Sequence, residues 1–334
     1  MKAFSCRVCG NPLYFGNSSC VKCGTGLGFS REEKAIVPVD EHGQYVDASG
    51  RVWHVCANSI LSGCTWLADA PGGRCFSCEL TRTRPSDDDV KGLSEYPIAE
   101  SAKRRLIVEL DDLGFPIPTR RDDPDTGLAF DLLSSVNEKV TIGHVDGVIT
   151  LDLAEGNDVH REQLRVSMDE PYRTMLGHFR HEIGHFYWQQ LVTGDLVEEF
   201  RDLFGDERAS YADALDRHYS EGAPIGWQDH FISQYATMHP WEDFAETFAH
   251  YLHICDTVET ASAYGLATVA APKQFSSFRD LVTGVWVPLS IALNQINRSM
   301  GKEPLYPFVI PRPVLDKLDF VARLARDSGK SGRE

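Results

Sequence analysis

The sequence predicts an α+β fold in which a β-rich region precedes a mostly helical domain that contains a small sheet. Residues 35–80 alternate short strand-like runs with turn residues. After residue 96, apolar side chains recur at helical spacing over several long segments. Because 334 residues exceed a typical single domain, we expect one core of about 200 residues or more and a smaller part beside it.

The composition argues against two classes of protein. The formal net charge is −16, so the chain is not expected to bind nucleic acid non-specifically, which requires clustered positive charge. The first six residues have no apolar leader, and no apolar run of membrane-spanning length follows. We therefore expect a cytoplasmic protein with no nucleic-acid partner and no membrane partner.

The first group of cysteines consists of two tight pairs within residues 1–30. Each pair encloses two residues and is followed by a glycine, and ten residues separate the pairs. This spacing is typical of a zinc ribbon in which four thiolates bind one structural ion: Cys6, Cys9, Cys20 and Cys23. So short a segment cannot bury a core of its own, and we expect the metal to supply its folding energy. Disulfide or redox pairing is the alternative.

Residues 31–80 contain a second, less regular group: Cys56, Cys64, Cys75 and Cys78. Four thiols in a small-residue-rich segment of a reducing compartment tend to share an ion, which predicts a second structural zinc in a β module. His54 is an alternative ligand, although a single strand histidine is more often a packing or surface residue. Cys255, the ninth cysteine, lies in an apolar helical stretch and is expected to be buried.

The remaining boundaries follow from composition. Residues 81–95 are polar and charged, which favours a linker before a larger domain that spans residues 96–325. A helix is expected over about residues 98–113, and Gly114 and Pro116 end it. Residues 326–334 are expected to form a disordered tail.

The segment His181-Glu182-Ile183-Gly184-His185 is expected to carry the chemistry of the larger domain. On a helix, histidines four residues apart lie on one face, so both rings reach one zinc ion at roughly 2.0–2.1 Å. Glu182 lies about a quarter turn away and is placed to accept a proton from a metal-bound water. A motif of five residues also occurs by chance, so its surroundings must support this interpretation.

The helix around this motif is expected to begin near Asp169-Glu170-Pro171 and to end near Gly194. At about 100° per residue, one face collects apolar side chains: Met175, Leu176, Phe179, Ile183, Phe186 and Tyr187. The opposite face collects His178, His181, His185 and Trp188. In a buried core helix whose histidines only satisfy their hydrogen bonds, three histidines on one face would not be expected. This face is therefore expected to line a cleft.

A catalytic zinc site needs a third protein ligand and an open position for water. A second helix is expected to begin at Pro240 and to carry Glu242 and Glu246 on the face opposite its aromatic residues. The small Ala245 and Ala249 would let it approach the first helix closely. Either glutamate fits as the ligand, and the other then fits as a hydrogen-bond partner that fixes the tautomer of a ligand imidazole.

Together, the zinc ribbon and residues 172–185, 209–215 and 239–251 resemble the bacterial zinc-binding metallopeptidases that carry an N-terminal zinc ribbon. The similarity runs along nearly the whole chain. The larger domain also resembles gluzincins of the lethal-factor type, in which a tyrosine precedes the glutamate ligand by seven residues, the separation of Tyr235 and Glu242. The resemblance implies a zincin-like catalytic domain, Glu242 as third ligand, Tyr235 as oxyanion stabiliser and Glu246 as a supporting partner of a ligand.

These features predict a zinc metallopeptidase with one catalytic and two structural zinc ions, acting on a peptide or protein substrate. Glu182 would be the general base, and His178, one turn before His181, would support the site or line the cleft. In zinc peptidases an edge strand beside the metal helix pairs with the substrate backbone. The candidates for this strand are Val148–Leu153 and Leu164–Met168.

Two other functions remain open at this stage. The chain could be an adaptor whose zinc ribbons dock a protein partner while the HExxH metal is structural or inactive. The presence of a base, a third ligand and Tyr235 together argues against it, because a structural site needs neither a base nor an open position. The same groups could also hydrolyse a non-peptide amide.

Overall fold

The computed structural model describes residues 2–136, 139–156, 174–267, 275 and 277–331. Within these residues the chain forms two compact units. The first unit holds the described residues up to 156 except 111–116, and the second holds 111–116 together with the described residues from 174 onward. Of the domain expected over residues 96–325, residues 96–110 and 117–156 lie in the first unit.

The strands lie in the first unit and form small sheets. The strands are Phe4–Ser5 (β1), Pro12–Leu13 (β2), Gly26–Ser30 (β3), Ala35–Val39 (β4), Gln44–Val46 (β5), Val52–Val55 (β6), Leu67–Ala68 (β7), Thr81–Thr83 (β8), Ala129–Leu133 (β9), Gly143–Val145 (β10) and Val148–Asp152 (β11). Strands β1 and β2, β3 and β4, and β5 to β7 pair in antiparallel fashion. The fourth sheet has the order β10-β11-β9-β8, with β8, β9 and β11 parallel and β10 antiparallel.

Strand β11 covers one of the two segments expected to offer an edge to substrate. It pairs with β10 on one side and with β9 on the other. Its backbone hydrogen bonds are therefore used within the sheet, and it is not an edge strand. The other candidate, residues 164–168, lies outside the described residues.

The two cysteine-containing modules expected at residues 1–30 and 31–80 share one core. The ring of Phe29 lies 5.0 Å from Phe15 in the first module and 5.0 Å from Trp66 in the second, measured between centroids. All three rings are buried. Aromatic rings at these distances pack favourably, so the two modules stabilise each other.

The described helices are Phe76–Glu79 (α1), Val90–Leu113 (α2), Met175–Leu191 (α3), Leu196–Phe204 (α4), Tyr211–Glu221 (α5), Pro240–Ala263 (α6), Phe278–Leu281 (α7), Val287–Ser299 (α8) and Arg312–Ser331 (α9). A π-helical segment, Val282–Trp286, joins α7 to α8. Together with the sheets they give an α+β architecture. None of the helices in the described part of the chain combines the length and the apolarity that crossing a bilayer demands.

Two regions differ from the expected boundaries. The segment expected to be a linker contains β8 and the start of α2, where the Asp89 carboxylate accepts a hydrogen bond from the Gly92 N–H at 2.8 Å. With this cap the helix begins at Val90, eight residues before the predicted start at Ile98. It then continues through Pro97. At the other end, α9 continues to Ser331, through residues expected to be disordered.

Helix α3 agrees with its predicted amphipathic pattern. Its N-cap is Thr174, whose hydroxyl accepts a hydrogen bond from Gly177 N–H at 2.9 Å. The expected start at residues 169–171 lies outside the described residues, and the helix ends three residues before Gly194. Five of the six residues on the predicted apolar face are buried and the sixth, Leu176, is half-buried; the four residues of the opposite face are all half-buried.

Candidate metal centres

The first four cysteines converge as the spacing predicts. The ligand atoms of Cys6, Cys9, Cys20 and Cys23 all lie within 4.8 Å of one another. Two of the sulfur pairs are 3.6 and 3.7 Å apart. Ligands at about 2.3 Å from zinc in a tetrahedron lie about 3.8 Å from each other, whereas bonded disulfide sulfurs are about 2.0 Å apart. The geometry thus fits a four-thiolate zinc site and not a disulfide pair.

Thiolate character is favoured at one member of this cluster, Cys23. The Thr25 hydroxyl lies 3.2 Å from Cys23 Sγ. A hydrogen bond from this hydroxyl lowers the pKa of the Cys23 thiol to about 6. Because zinc binds the thiolate form, this contact prepares Cys23 as a ligand.

The second cysteine group also converges, and all four of its members are buried: Cys56, Cys64, Cys75 and Cys78. Cys64 Sγ lies 3.6 Å from Cys75 Sγ. Backbone N–H groups of Asn58 and Cys75 donate to Cys56 Sγ at 3.4 and 3.3 Å. His54 is not a member of the cluster, so the four-cysteine interpretation fits better than the alternative with a histidine ligand. Cys255 is buried on α6, as expected.

The third candidate centre depends on a close approach of α3 and α6. A methyl group placed on Gly184 would lie 2.9 Å from Ala245 Cα and 3.1 Å from Phe248 Cβ. Real side chains do not pack this closely, so glycine at 184 and alanine at 245 allow the two helices to touch. The predicted role of the small residues on α6 agrees with this geometry, and α6 begins at Pro240 as predicted.

This approach brings Glu242 to the two histidines. His181 Nε2 lies 2.9 Å from Glu242 Oε2 and 3.2 Å from His185 Nε2. His185 Nε2 lies 3.4 Å from the same carboxylate oxygen. The alternative ligand, Glu246, contacts the other nitrogen of His181 instead, with Oε1 2.8 Å from Nδ1. The residues whose ligand atoms converge, and which could hold a metal ion, are therefore His181, His185 and Glu242.

The charges within the cluster shift pKa values in opposite directions. Burial alone would lower the pKa of His181, but hydrogen bonds to Glu242 and Glu246 raise it well above its usual value. Burial alone would raise the pKa of Glu242, but the imidazoles of His185 and His181 lower it well below its usual value. The carboxylate of Glu242 is thus stabilised in the charged form that binds a cation.

Glu246 is itself held in place. The Ser233 hydroxyl donates to Glu246 Oε2 at 2.7 Å, and Glu246 Oε1 faces His181 Nδ1. With a proton on Nδ1, His181 presents the lone pair of Nε2 to the cluster. A carboxylate on the far nitrogen of a histidine is the usual way in which proteins fix a ligand imidazole.

Glu182 lies beside this cluster in a different environment. It is buried, and its Oε2 has no hydrogen-bond partner among the described residues. Burial raises the pKa of its carboxyl group, whereas the two histidines lower it by a smaller amount. A buried carboxylate oxygen without a partner is costly in a merely structural role, and it is available to accept a proton from a small molecule.

Tyr235 and Tyr211 complete the immediate surroundings. The ring centroid of Tyr235 lies 5.9 Å from that of His181, and burial raises the pKa of its hydroxyl. Tyr211, on α5, donates its hydroxyl to Glu242 Oε1 at 3.0 Å. Sequence reasoning did not single out Tyr211. The only signal was its place in the segment 209–215 that carried the family resemblance.

The other histidines in the described part of the chain do not join this cluster. His178 lies half-buried one turn before His181 on α3, and it is not one of the three residues whose ligand atoms converge. His253 has its Nδ1 3.4 Å from Arg180 Nη1, farther along α6. His239 is the N-cap of α6: its Nδ1 accepts from Trp241 N–H at 3.2 Å and its Nε2 donates to the Ala209 carbonyl at 3.1 Å.

A buried lysine fixes the loop that precedes α6. Lys317, on α9, donates to Asp243 Oδ2 at 2.6 Å and to the His230 carbonyl at 3.0 Å. Asp243 is adjacent to the candidate ligand Glu242, and His230 precedes the segment that contains Ser233 and Tyr235. One ammonium group therefore joins the start of α6 to the loop that carries the supporting residues.

These residues fit a zinc ion. Two imidazole nitrogens and one carboxylate oxygen are the donor set of many catalytic zinc sites, and three ligands leave one position open. The orienting carboxylate on His181 and the unpartnered oxygen of Glu182 agree with this assignment.

Comparison with known proteins gives the family. A family model described as "Putative zinc-binding metallo-peptidase" matches residues 92–324, and a zinc-ribbon domain model matches residues 3–89. Uncharacterized proteins of Mycobacterium tuberculosis (strain ATCC 25618 / H37Rv) and Mycobacterium bovis are each 54% identical over 329 residues, which cover 96% of this chain and 94% of theirs. No solved structure matches significantly. The chain therefore belongs to the putative zinc-binding metallo-peptidase family and carries an N-terminal zinc-ribbon domain.

Proposed function

We propose that this protein is a zinc-dependent peptidase with a zincin-like catalytic domain of the gluzincin type. The observation that supports the proposal best is the convergence of three ligand atoms from His181, His185 and Glu242 beside the unpartnered, buried carboxylate of Glu182. A structural zinc site has no use for either the open position or the base.

The zinc ion, when bound, supplies Lewis-acid polarisation of a peptide carbonyl and of a water molecule. Glu182 accepts a proton from the attacking water and passes it to the leaving amine. Tyr235 donates its hydroxyl to the oxyanion that develops on the carbonyl oxygen. Its raised pKa keeps the hydroxyl protonated at neutral pH, as this role requires. Glu246 holds His181 in the tautomer that presents Nε2.

The test is Glu182→Gln in the full-length chain. The variant keeps the size of the side chain and removes the base, so we expect turnover to fall by about 100-fold to 10,000-fold. Turnover is measured on casein and on a mixture of fluorescence-quenched peptides. Zinc content should stay at three ions per chain, one for each cluster. Glu221→Gln, at an exposed position on α5, is the matched control and should leave turnover unchanged.

Two results would contradict the proposal. Equal turnover by the Glu182→Gln variant would mean that the activity does not use this base. Three bound zinc ions without turnover of any probe, and without an accumulated substrate on the Glu182→Gln protein in cells, would favour the adaptor function instead.

A further inference from the structure

We propose that Tyr211 is a positioning residue that makes Glu242 bind zinc through a single oxygen. This inference rests on the proposed function, because it requires zinc at the histidine cluster. The two carboxylate oxygens of Glu242 have different partners. Oε1 accepts the Tyr211 hydroxyl at 3.0 Å, whereas Oε2 faces His181 Nε2 at 2.9 Å and His185 Nε2 at 3.4 Å.

One oxygen of Glu242 therefore faces the zinc-binding histidines, and the other accepts a hydrogen bond from the protein. Glu242 is nearly fully buried, so an oxygen turned away from the metal would lack water and needs a protein donor. The Tyr211 hydroxyl is that donor. A carboxylate that bound through both oxygens would occupy a second coordination position, and zinc sites that act on substrates keep a position open. The hydrogen bond to Oε1 favours the arrangement with one oxygen on the ion.

Tyr211 is fixed in place by contacts to the start of α6. Its ring centroid lies 5.3 Å from that of His239 and 6.4 Å from that of Trp241. The backbone just before it is held by the hydrogen bond from His239 Nε2 to the Ala209 carbonyl. Ser210 caps α5, with its hydroxyl 3.3 Å from Asp213 N–H. The phenol is thus already oriented, so little conformational entropy is lost when the hydrogen bond forms.

The same hydroxyl also contacts Tyr235. The side chains of Tyr235 and Tyr211 interact closely enough to shift each other's pKa, and the Tyr211 hydroxyl donates to Glu242. This interaction holds the Tyr235 side chain beside the candidate ligands. Tyr211 acts through Glu242 and Tyr235 and does not itself need to touch the substrate.

The test is Tyr211→Phe, which removes the hydroxyl and keeps the ring between His239 and Trp241. Zinc affinity of the histidine cluster is measured by chelator competition in the full-length chain, with both cysteine clusters loaded. The same site is then emptied and refilled with Co²⁺, whose visible absorption becomes weaker when the coordination number rises. We expect zinc affinity to fall by about 10-fold to 100-fold and the cobalt absorption to weaken. Tyr264→Phe, exposed at the end of α6, is the matched control.

The outcomes separate this inference from the proposed function. If the wild-type protein binds no exchangeable ion beyond the two in the cysteine clusters, the proposed function fails and this inference fails with it. If it binds that ion and Tyr211→Phe matches the wild type in both measurements, only this inference is overturned. A weaker affinity with an unchanged cobalt spectrum also overturns it, because the hydroxyl would then stabilise Glu242 without setting its coordination.

Discussion

The chain contains two kinds of metal-ligand cluster, and they differ in ligand number and in the stretch of chain that builds them. Cys6 and Cys23 are 17 residues apart, and four thiols fill every position of a tetrahedron. His181 and Glu242 are 61 residues apart, and among the described residues three ligands converge, beside a Glu182 carboxylate whose Oε2 has no hydrogen-bond partner there. A local, closed cluster serves folding, whereas a long-range, open cluster depends on a fold that already exists.

The largest expected effect comes from removing one ligand of each kind. Cys75→Ala removes a ligand from the buried second cysteine cluster, so on the order of 10 kcal/mol of zinc-binding free energy no longer stabilises that module. We expect rapid proteolysis within residues 31–80 and the loss of one zinc ion per chain. His185→Ala should also lose one zinc ion, but α3 and α6 should remain folded because their apolar faces are unchanged.

Limited proteolysis and zinc content check both variants, and circular dichroism follows the helices. Two results would contradict the assigned roles of the clusters. His185→Ala would have to unfold the second unit, or Cys75→Ala would have to leave the first unit as resistant to protease as the wild type.

A smaller effect is expected when a support of the open cluster is removed. Glu246→Gln replaces the carboxylate on His181 Nδ1 with a neutral amide, so we expect zinc affinity to fall by about 10-fold to 100-fold. Ser233→Ala removes only the hydroxyl that holds Glu246 and should have a weaker effect in the same direction. Chelator competition measures both. Affinities equal to that of the wild type would show that His181 is oriented by packing alone.

The smallest effect tests the helix contact that brings the distant ligands together. Gly184→Ala places a methyl group 2.9 Å from Ala245 Cα, so the helices must separate slightly. Overpacking typically costs about 1–3 kcal/mol, and a single methyl group should lie at the lower end. Urea unfolding measures the loss of stability, and zinc affinity should fall less than tenfold. Gly284→Ala, where the added methyl group meets no atom within 4 Å, is the control and should be near neutral.

The ligand helices could be predicted from the sequence because their signals are local. The helical period separated the apolar face of α3 from the histidine face, and Pro240 marked the start of α6. Spacing alone left Glu242 and Glu246 as alternatives, and only the family resemblance favoured Glu242. In the structure Glu242 contacts Nε2 of His181, whereas Glu246 contacts Nδ1. Which glutamate meets which nitrogen depends on how α6 is rotated against α3.

Other features depend on tertiary contacts that no local pattern encodes. Tyr211 lies 31 residues before Glu242, and nothing in α5 indicates that its hydroxyl reaches that carboxylate. The alternation in residues 148–152 correctly predicted a strand, but the place of a strand within its sheet depends on its neighbours. Polar composition around residue 90 suggested a linker, although the Asp89 cap begins a helix there.

The hydrogen bond from Lys317 to Asp243 joins two residues that are 74 positions apart, so the ribosome makes Asp243 well before its partner. Burial raises the pKa of Asp243 to about 7, although the ammonium group of Lys317 acts to lower it. Without that partner, burying an ionised Asp243 at the start of α6 would be costly. On the ribosome, His181 and Glu242 emerge well before residue 317. The residue that neutralises Asp243, next to the candidate ligand Glu242, is thus supplied by one of the last segments of the chain to be made.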